Sequence, residues 1–300
     1  MKKKFRNLLI ATVALLGFTA AFHVQASLND DPDAVSVQPV SKKELASIKK
    51  NYGHIWYHIK FYRTLKPVNV TIKFSDRQNT KLVHPKVLRI PQNTIVSGNK
   101  FNDSDKGLVR YSFNLDFDSL SYHLLKPKVS KQFAEPNFAI SVTAKSKQSL
   151  NRRFKRITTP KYLPTYSWGI LNKYPHTPKI DPFTPTTDQL KITPDGNVEF
   201  YPIIPGQTKN NQLFSLIPQS FAKINKTIVK GNTRYLYYSH HITGVHDQRV
   251  AKSGHYQYRL TMTNLHRPFS LFDGDQGAII LSKYKIGNTV YYTRSGSYSA

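Results

Sequence analysis

Apolar residues at every second position are the feature that most constrains how this 300-residue chain can fold. The clearest run covers 109–117, where the apolar face consists of Val109, Tyr111, Phe113, Leu115 and Phe117. Successive side chains of a strand point to opposite faces, so this period puts all five on one side. An antiparallel sheet commonly buries one face and leaves the other in water. Because similar runs recur at 68–74 and 256–262, we predict an all-β protein built from antiparallel strands.

One short helix is predicted ahead of the strands. Ser41 and Glu44 have the spacing of a capping box, in which each side chain bonds the backbone N–H of the other residue. Leu45 and Ile48 follow at helical spacing, and Gly53 supplies a stop. We therefore expect a helix that begins after Ser41 and ends near Gly53.

Alternation returns in residues 55–61, which predicts a strand that begins soon after the helix. Four residues of a strand span roughly 13 Å. His54 and His58 would then be too far apart to share a metal ion, so the sequence argues against a metal site there.

Proline divides the chain into two parts. Nine of the 18 prolines lie between Pro160 and Pro205, and proline removes a backbone donor that a central strand needs. We therefore predict a basic Pro/Thr-rich linker over 145–189. It would join an N-terminal β domain over 41–144 to a C-terminal β domain over 190–300, both small antiparallel domains of the sandwich or SH3-like barrel type. An Asp195-Gly196 pair predicts a hairpin turn in the second domain.

Two seven-residue segments are alike, and each precedes an aromatic strand. Residues 93–99 read Asn-Thr-Ile-Val-Ser-Gly-Asn, and residues 226–232 read Lys-Thr-Ile-Val-Lys-Gly-Asn. The motif resembles the strand-and-turn style of bacterial SH3-like wall-binding modules, which implies small barrels. Whether the two β halves are true repeats stays open.

The first 26 residues have the pattern of a secretory signal. Four basic residues precede an apolar run from Leu8 to Phe22, and Val24-Gln25-Ala26 supplies small residues at a cleavage position. The run is shorter than the roughly 20 residues that a bilayer core requires. We therefore expect removal of 1–26, a flexible lead-in over 27–40, no membrane span afterwards, and an extracellular or wall-associated location.

Charge and cysteine content narrow the classes of function. The chain has 44 Lys and Arg against 17 Asp and Glu, a formal net charge of +27, and no cysteine. Loss of the four basic residues in 1–26 leaves +23, and every predicted segment after 27–40 is positive. Such an excess attracts polyanions at long range. The missing thiol excludes cysteine peptidases and wall transpeptidases that use a cysteine nucleophile.

These features together resemble secreted, cysteine-free cell-surface proteins of Gram-positive bacteria, lactic acid bacteria in particular. The resemblance rests on the lysine-rich start, the pI near 10.0 and the Tyr/Lys/Asn-rich composition. With the excess positive charge, we expect the partner to be an anionic polymer of the cell envelope, such as teichoic acid.

The densest local charge lies at the start of the predicted linker. Six basic residues occur within twelve positions: Lys145, Lys147, Arg152, Arg153, Lys155 and Arg156. Arginine forks bind phosphate or sulfate oxygens in pairs. We predict that these six residues bind a polyanion, with nucleic acid bound only non-specifically. A solvated charged hinge is the alternative reading of the same cluster.

Catalytic and metal signals are few. No nucleophile elbow, phosphate loop or dinucleotide motif occurs, and Asp116 with Asp118 fits the solvated side of a strand. His240, His246 and Asp247 are weak metal candidates, because the neighbouring His241 would point to the opposite face of a strand. No cofactor is predicted, and an enzymatic activity, though less favoured, stays open.

Three functions remain from the sequence. The first is a secreted envelope protein that binds anionic polymers through diffuse positive charge. The second is an adhesin or effector that binds host glycans or a protein partner, and the third is a wall-directed hydrolase whose active site has no recognisable motif. The oligomeric state is left open.

Overall fold

The computed structural model describes most of the chain after residue 36. The described ranges are 37–76, 83–103, 110–116, 120–129, 138–143, 150–175, 187–204, 214–272 and 278–298. The predicted signal over 1–26, the part of the predicted lead-in up to residue 36, and both Lys145 and Lys147 lie outside them. Strands dominate these ranges, so the all-β prediction is confirmed.

The described strands, in chain order, have the following bounds. They are β1 (Val37–Pro39), β2 (Phe61–Thr64), β3 (Val68–Asp76), β4 (Val83–Ile90), β5 (Ile95–Asp103), β6 (Arg110–Leu115), β7 (Phe138–Thr143), β8 (Phe154–Ile157), β9 (Ile170–Lys173), β10 (Gln189–Ile192), β11 (Asn197–Tyr201), β12 (Ser220–Lys223), β13 (Lys226–Lys230), β14 (Thr233–Tyr238), β15 (Gln248–Arg249), β16 (Tyr258–Phe272), β17 (Ala278–Ile286) and β18 (Thr289–Tyr298). Two helices, α1 (Lys42–Tyr52) and α2 (Tyr122–Leu125), and a 3₁₀ turn (Leu150–Arg153) accompany them.

The largest sheet has eleven antiparallel strands. Its main path runs β12-β11-β10-β9-β18-β17-β16-β14-β13, and both β1 and β15 also pair with β16. The long strand β16 shifts register between Asn264 and Pro268. The first part of β16 pairs with β14 and its last part pairs with β1. The first described strand of the chain therefore belongs to the largest sheet.

Two smaller sheets have the strand orders β6-β5-β2-β8 and β4-β3-β7. Strand β2 lies between two hydrophobic cores, because its successive side chains point to opposite faces. Tyr62 packs in the core of the small sheets, edge-on to Phe113, which stacks on Phe154. Its neighbour Phe61 packs instead in the core of the large sheet.

The two-domain layout with a linker is not confirmed. Residues 150–175 contribute β8 to a small sheet and β9 to the large sheet, where β9 lies between β18 and β10. Leu163 and Leu171 are fully buried there. The prolines of this stretch, Pro160, Pro164 and Pro175, flank the strands instead of interrupting them, which is why the sheet tolerates them.

The predicted helix and its caps are confirmed. Ser41 Oγ accepts a hydrogen bond from Glu44 N at 3.1 Å, and Glu44 Oε2 accepts one from Ser41 N at 3.3 Å. Gly53 ends the helix with φ +69°. Ile48 packs with Ile280 of β17, which anchors α1 on the large sheet.

The strand predicted over 55–61 is wrong in its first part, because β2 begins only at Phe61. Residues 54–60 instead cross the end of β18, where Trp56 forms an isolated bridge with Gly296. The rings of His54 and His58 stack there with centroids 3.7 Å apart. A local pattern did not reveal this turn, since the pairing partner lies 240 residues away.

The predicted hairpin at Asp195-Gly196 is confirmed between β10 and β11, with Gly196 at φ +81°. The stretch that the structure describes has no helix long and apolar enough to cross a membrane.

Candidate anion-binding site

The described part of the cationic cluster lies on the 3₁₀ turn Leu150–Arg153 and on β8, which is at the edge of its sheet. Strand alternation divides the cluster. Arg153 is half-buried and donates from Nη1 to the carbonyl of Pro67 at 3.2 Å, so it anchors the chain. Lys155 and Arg156 are both exposed but point to opposite faces, and Arg152 is exposed on the preceding turn. The four described residues of the cluster therefore do not form one continuous patch.

Lys155 belongs to a cleft that the sequence did not reveal. It lies directly opposite Arg63 of β2, and Lys161 of the following loop reaches the same place. The three cations and six other residues enclose about 480 Å³, a volume within the usual range for ligand sites. We call this site the cationic cleft; its other lining residues are Ile95, Ile157, Thr158, Thr159, Pro160 and Tyr162.

No described acidic group forms an ion pair with the cations of the cleft. Within the described ranges two ion pairs occur, Lys173 with Asp188 at 3.8 Å and His241 with Asp247 at 2.6 Å. Neither involves a residue of the cationic cleft. The positive potential at this place is therefore not cancelled by a contacting carboxylate.

Tyr162 forms a fixed wall of the cleft. Its hydroxyl donates a hydrogen bond to the carbonyl of Pro194. Burial is the main cause that raises the pKa of this hydroxyl, with a further increase from Asp195 and an opposing effect of Arg63. The phenol therefore stays neutral, and its ring offers an apolar surface beside the cations.

The chemistry of the cleft suits an anionic group attached to a small hydroxylated or apolar unit. Arg63 offers a planar fork for two oxygens, whereas Lys155 and Lys161 offer point charges. Thr158 and Thr159 are exposed and supply hydroxyls. Charge on an edge strand such as β8 also opposes edge-to-edge association of sheets.

A second polar cluster is buried where α2 meets the large sheet. Glu199 of β11 is fully buried and accepts hydrogen bonds from Tyr122 N and from the Tyr201 hydroxyl, at 2.5 and 2.8 Å. Burial raises the pKa of Glu199 to about 7, although Lys191 and both hydrogen bonds lower it. Every polar atom named here has a partner inside the protein, so this cluster fastens two parts of the fold together.

The histidine region does not assemble the suggested metal site. Both ring nitrogens of His240 are engaged, Nδ1 with Ser239 Oγ at 3.1 Å and Nε2 with the Phe221 carbonyl at 2.8 Å. His246 is exposed. Over the described residues there is no group of three or more His, Cys, Asp or Glu side chains that could hold a metal ion.

Asp247 pairs instead with His241, whose Nδ1 lies 2.6 Å from Asp247 Oδ1. The carboxylate also accepts hydrogen bonds from the Tyr238 hydroxyl at 2.7 Å and from Ile242 N at 3.1 Å. This geometry orients the His241 ring. A hydrolytic site needs a nucleophile or a water-binding cleft beside the imidazole; apart from Asp247, the contact described for His241 is the Tyr258 ring, with centroids 5.8 Å apart.

Sequence reasoning identified Lys155 but missed its companions in the cleft, Arg63 and Lys161. Lys161 follows the cluster closely, and its charge was a usable signal. Arg63 lies 92 positions before Lys155, and only the pairing of β2 with β8 brings them together. Comparison with known protein families, characterised proteins and solved structures finds no match to this chain. Function must therefore be argued from the site itself.

Proposed function

We propose that this protein is secreted and binds anionic polymers of the cell envelope, such as teichoic acids. The observation that carries the proposal is the cationic cleft, where Arg63, Lys155 and Lys161 converge without an ion-paired acidic neighbour among the described residues. The excess charge of the chain draws a polyanion toward the surface, and the cleft then gives one anionic unit a defined place.

Energetics favour a polymer over a single small anion. Each exposed cation contributes little on its own, because water and salt screen its field. A polymer contacts many cations at once and releases the counterions condensed on it, which adds a favourable entropy. The spread of positive charge over the whole chain suits such a ligand.

The location is part of the proposal. If residues 1–26 are removed on export, N-terminal sequencing of the secreted protein should begin at Ser27. Membrane-bound protein that retains Met1 would contradict this location. An adhesin would use the same charges on host glycans, so the source of the polymer distinguishes the two readings.

Titration of a fluorescent poly(glycerol phosphate) chain against purified protein tests the function. The test variant carries Arg63→Gln, Lys155→Gln and Lys161→Gln. The matched control carries Lys42→Gln, Lys43→Gln and Lys50→Gln, which remove the same charge from the exposed side of α1. We expect the cleft variant to bind at least about tenfold more weakly than the control, since it loses three close contacts.

Two outcomes would contradict the proposal. Absence of binding by the wild-type protein at low salt would remove the polymer function altogether. Equal losses in both variants would mean that the diffuse field acts alone and that the cationic cleft is not a site. Stronger binding of a sulfated host-type glycan, such as heparan sulfate, than of poly(glycerol phosphate) would favour the adhesin reading.

A further inference from the structure

The solvent side of β13, β14 and β16 carries a second, separate set of cations. Leu236, Leu260 and Met262 are fully buried and define the inner side of β14 and β16. The residues between them therefore point outward. We name this outer surface the tyrosine–cation face and define it by Lys226, Tyr235, Tyr237, Tyr256 and Arg259.

The cations of this face are held in position by aromatic rings. Lys226 Nζ lies 5.8 Å from the ring centroid of Tyr237 and 5.7 Å from that of Tyr256. The guanidinium of Arg259 lies 5.4 Å from the ring centroid of Tyr235. Such contacts restrict flexible side chains before any ligand arrives, which reduces the entropy lost on binding.

Strand register extends the face into two rows of side chains. One row aligns Lys226, Tyr237 and Arg259 across β13, β14 and β16. A second row runs four residues further along β13 and joins Lys230, Thr233, Thr263 and Lys285 across β13, β14, β16 and β17. Four strand residues span roughly 13 Å. Each row thus has a cation at both ends. The two rows together cover an area that suits several units of a polymer.

Among the residues described in 214–272 and 278–298, no exposed acidic group lies near these cations. In the described stretches 214–272 and 278–298 the only acidic residue is Asp247. Its side chain is 1% exposed and accepts hydrogen bonds from His241, Tyr238 and Ile242. The positive charge of the tyrosine–cation face is therefore not cancelled by an exposed carboxylate of these described stretches.

We propose that the tyrosine–cation face is a second binding surface for an anionic carbohydrate or polyol-phosphate polymer. This inference rests on the proposed function, because it assigns a further contact to the same class of ligand. Fixed Lys226 and Arg259 contact the anionic groups. Tyrosine hydroxyls and the threonines of the second row form hydrogen bonds with the hydroxyls of the polymer.

The ring faces explain why such a polymer is favoured over single-stranded nucleic acid. Sequence-tolerant nucleic-acid binding relies on bases that stack on open aromatic faces. Here Lys226 lies over Tyr237 and Tyr256, and Arg259 lies over Tyr235. A base would have to displace these cations before it could stack on the rings, whereas a phosphate or carboxylate group can bind the cations in their present positions.

The cleft and the face lie on the two sides of β14. Arg234 points inward and donates from Nε to the Lys161 carbonyl at 2.9 Å and from Nη2 to Thr165 Oγ1 at 3.2 Å. Its neighbour Tyr235 points outward to the tyrosine–cation face. The strand β13, which carries Lys226, is the edge of the large sheet next to β14. A polymer long enough to pass around this edge gains from both sites, as linked binding events do.

Lysine footprinting tests the two sites separately in one experiment. The full secreted chain is acetylated with a lysine-reactive ester, with and without poly(glycerol phosphate), and the modified lysines are quantified by mass spectrometry. We expect at least about threefold protection of Lys226, Lys230 and Lys285, and also of Lys155 and Lys161 in the cleft. Lys42 and Lys43 on α1 serve as exposed controls and should change little.

Each outcome assigns success or failure to one site. Protection of Lys155 and Lys161 alone supports the proposed function and overturns the inference. Protection of the three lysines on the face alone supports the inference and removes the cleft from the proposed function. Equal protection of all lysines, controls included, would show that neither the cationic cleft nor the tyrosine–cation face is a defined site. Absence of protection at low salt would overturn both the proposed function and the inference.

Chain length and a variant give an independent check. Lys226→Gln with Arg259→Gln should weaken binding of a long poly(glycerol phosphate) chain by about tenfold and leave a chain of a few units bound in the cleft unaffected. Lys42→Gln with Lys43→Gln is the control, and an unchanged melting temperature shows that the variant folds. Equal affinity of variant and control for the long chain overturns the inference. Tighter binding of oligo(dT) than of poly(glycerol phosphate), with the same lysines protected, would replace the polymer by nucleic acid.

Discussion

Lys191 of β10 and Glu199 of β11 lie directly opposite each other in the large sheet, yet they form no ion pair. Each side chain instead makes a hydrogen bond to the backbone of the segment 120–122, where α2 begins. Lys191 Nζ donates to the Leu120 carbonyl at 2.9 Å, and Glu199 accepts from Tyr122 N. Leu120 belongs to the core of the small sheets. The pair therefore ties that core to the large sheet through buried hydrogen bonds, each of which is costly to leave unpaired.

The protonation of Glu199 should make stability depend on pH. Burial raises its pKa from an ordinary 4.5 to about 7, so the folded protein holds this proton more tightly than the unfolded chain. Between about pH 4.5 and pH 7 the unfolded chain has lost the proton that the folded state keeps, and stability falls as the pH rises. We expect Glu199→Gln to flatten the fall in melting temperature over this interval.

Glu44→Gln is the matched control, because Glu44 is a glutamate of the exposed capping box. It should leave the pH dependence between pH 4.5 and pH 7 in place, because glutamine at this position keeps the capping hydrogen bond to Ser41 N. A Glu199→Gln profile that follows the wild-type slope would show that other groups cause the pH dependence.

Gly169 should tolerate no side chain. Its φ is +92°, and an added Cβ would lie 1.9 Å from the carbonyl oxygen of Ile192. Gly231 also has a positive φ, +56°, but an added Cβ there meets nothing within 4 Å. We expect Gly231→Ala to cost about 1 kcal/mol of unfolding free energy, from backbone strain alone.

Gly169→Ala should cost at least about 3 kcal/mol in urea unfolding, since a backbone clash adds to the strain. Similar losses for the two alanine variants would mean that the contact with Ile192 relaxes easily.

Local signals predicted the elements whose causes are local. The capping box of Ser41 and Glu44 acts across three residues, and the Asp195-Gly196 turn acts across four, so both could be read from the sequence. Alternation likewise predicted β3, β6 and the first part of β16, up to Thr263. These features supported the correct fold class.

Local signals could not predict which strands pair with one another to form the sheets. The strand β9 has four residues and no strong pattern, yet it sits inside the large sheet because β10 and β18 supply hydrogen-bonding edges on both sides. Arg63 joins Lys155 through a pairing that no local rule encodes. Proline counting was misleading for the same reason, since it measures composition and not the places where strands start and end.

Asp247 should matter for stability far more than His241. Replacing Asp247 by alanine would leave the buried Tyr238 hydroxyl and the Ile242 N–H without their acceptor. Such unpaired groups cost about 3 kcal/mol together. His241 is half exposed, so His241→Ala should cost less than about 1 kcal/mol. Thermal unfolding of both variants at pH 7 measures the difference, and equal losses would contradict this assignment.

The slope of the binding constant against salt concentration should report how many cations of the protein the polymer contacts. When a flexible polyanion binds, the logarithm of the binding constant falls linearly with the logarithm of salt concentration, by about 0.7 for each neutralised charge. Removing Arg63, Lys155 and Lys161 should therefore make the slope for poly(glycerol phosphate) shallower by about 2. The α1 control, with Lys42, Lys43 and Lys50 replaced by glutamine, loses the same net charge but should keep the wild-type slope. If both variants shift the slope equally, the polymer senses only net charge, and a slope near zero in the wild-type protein would exclude electrostatic binding.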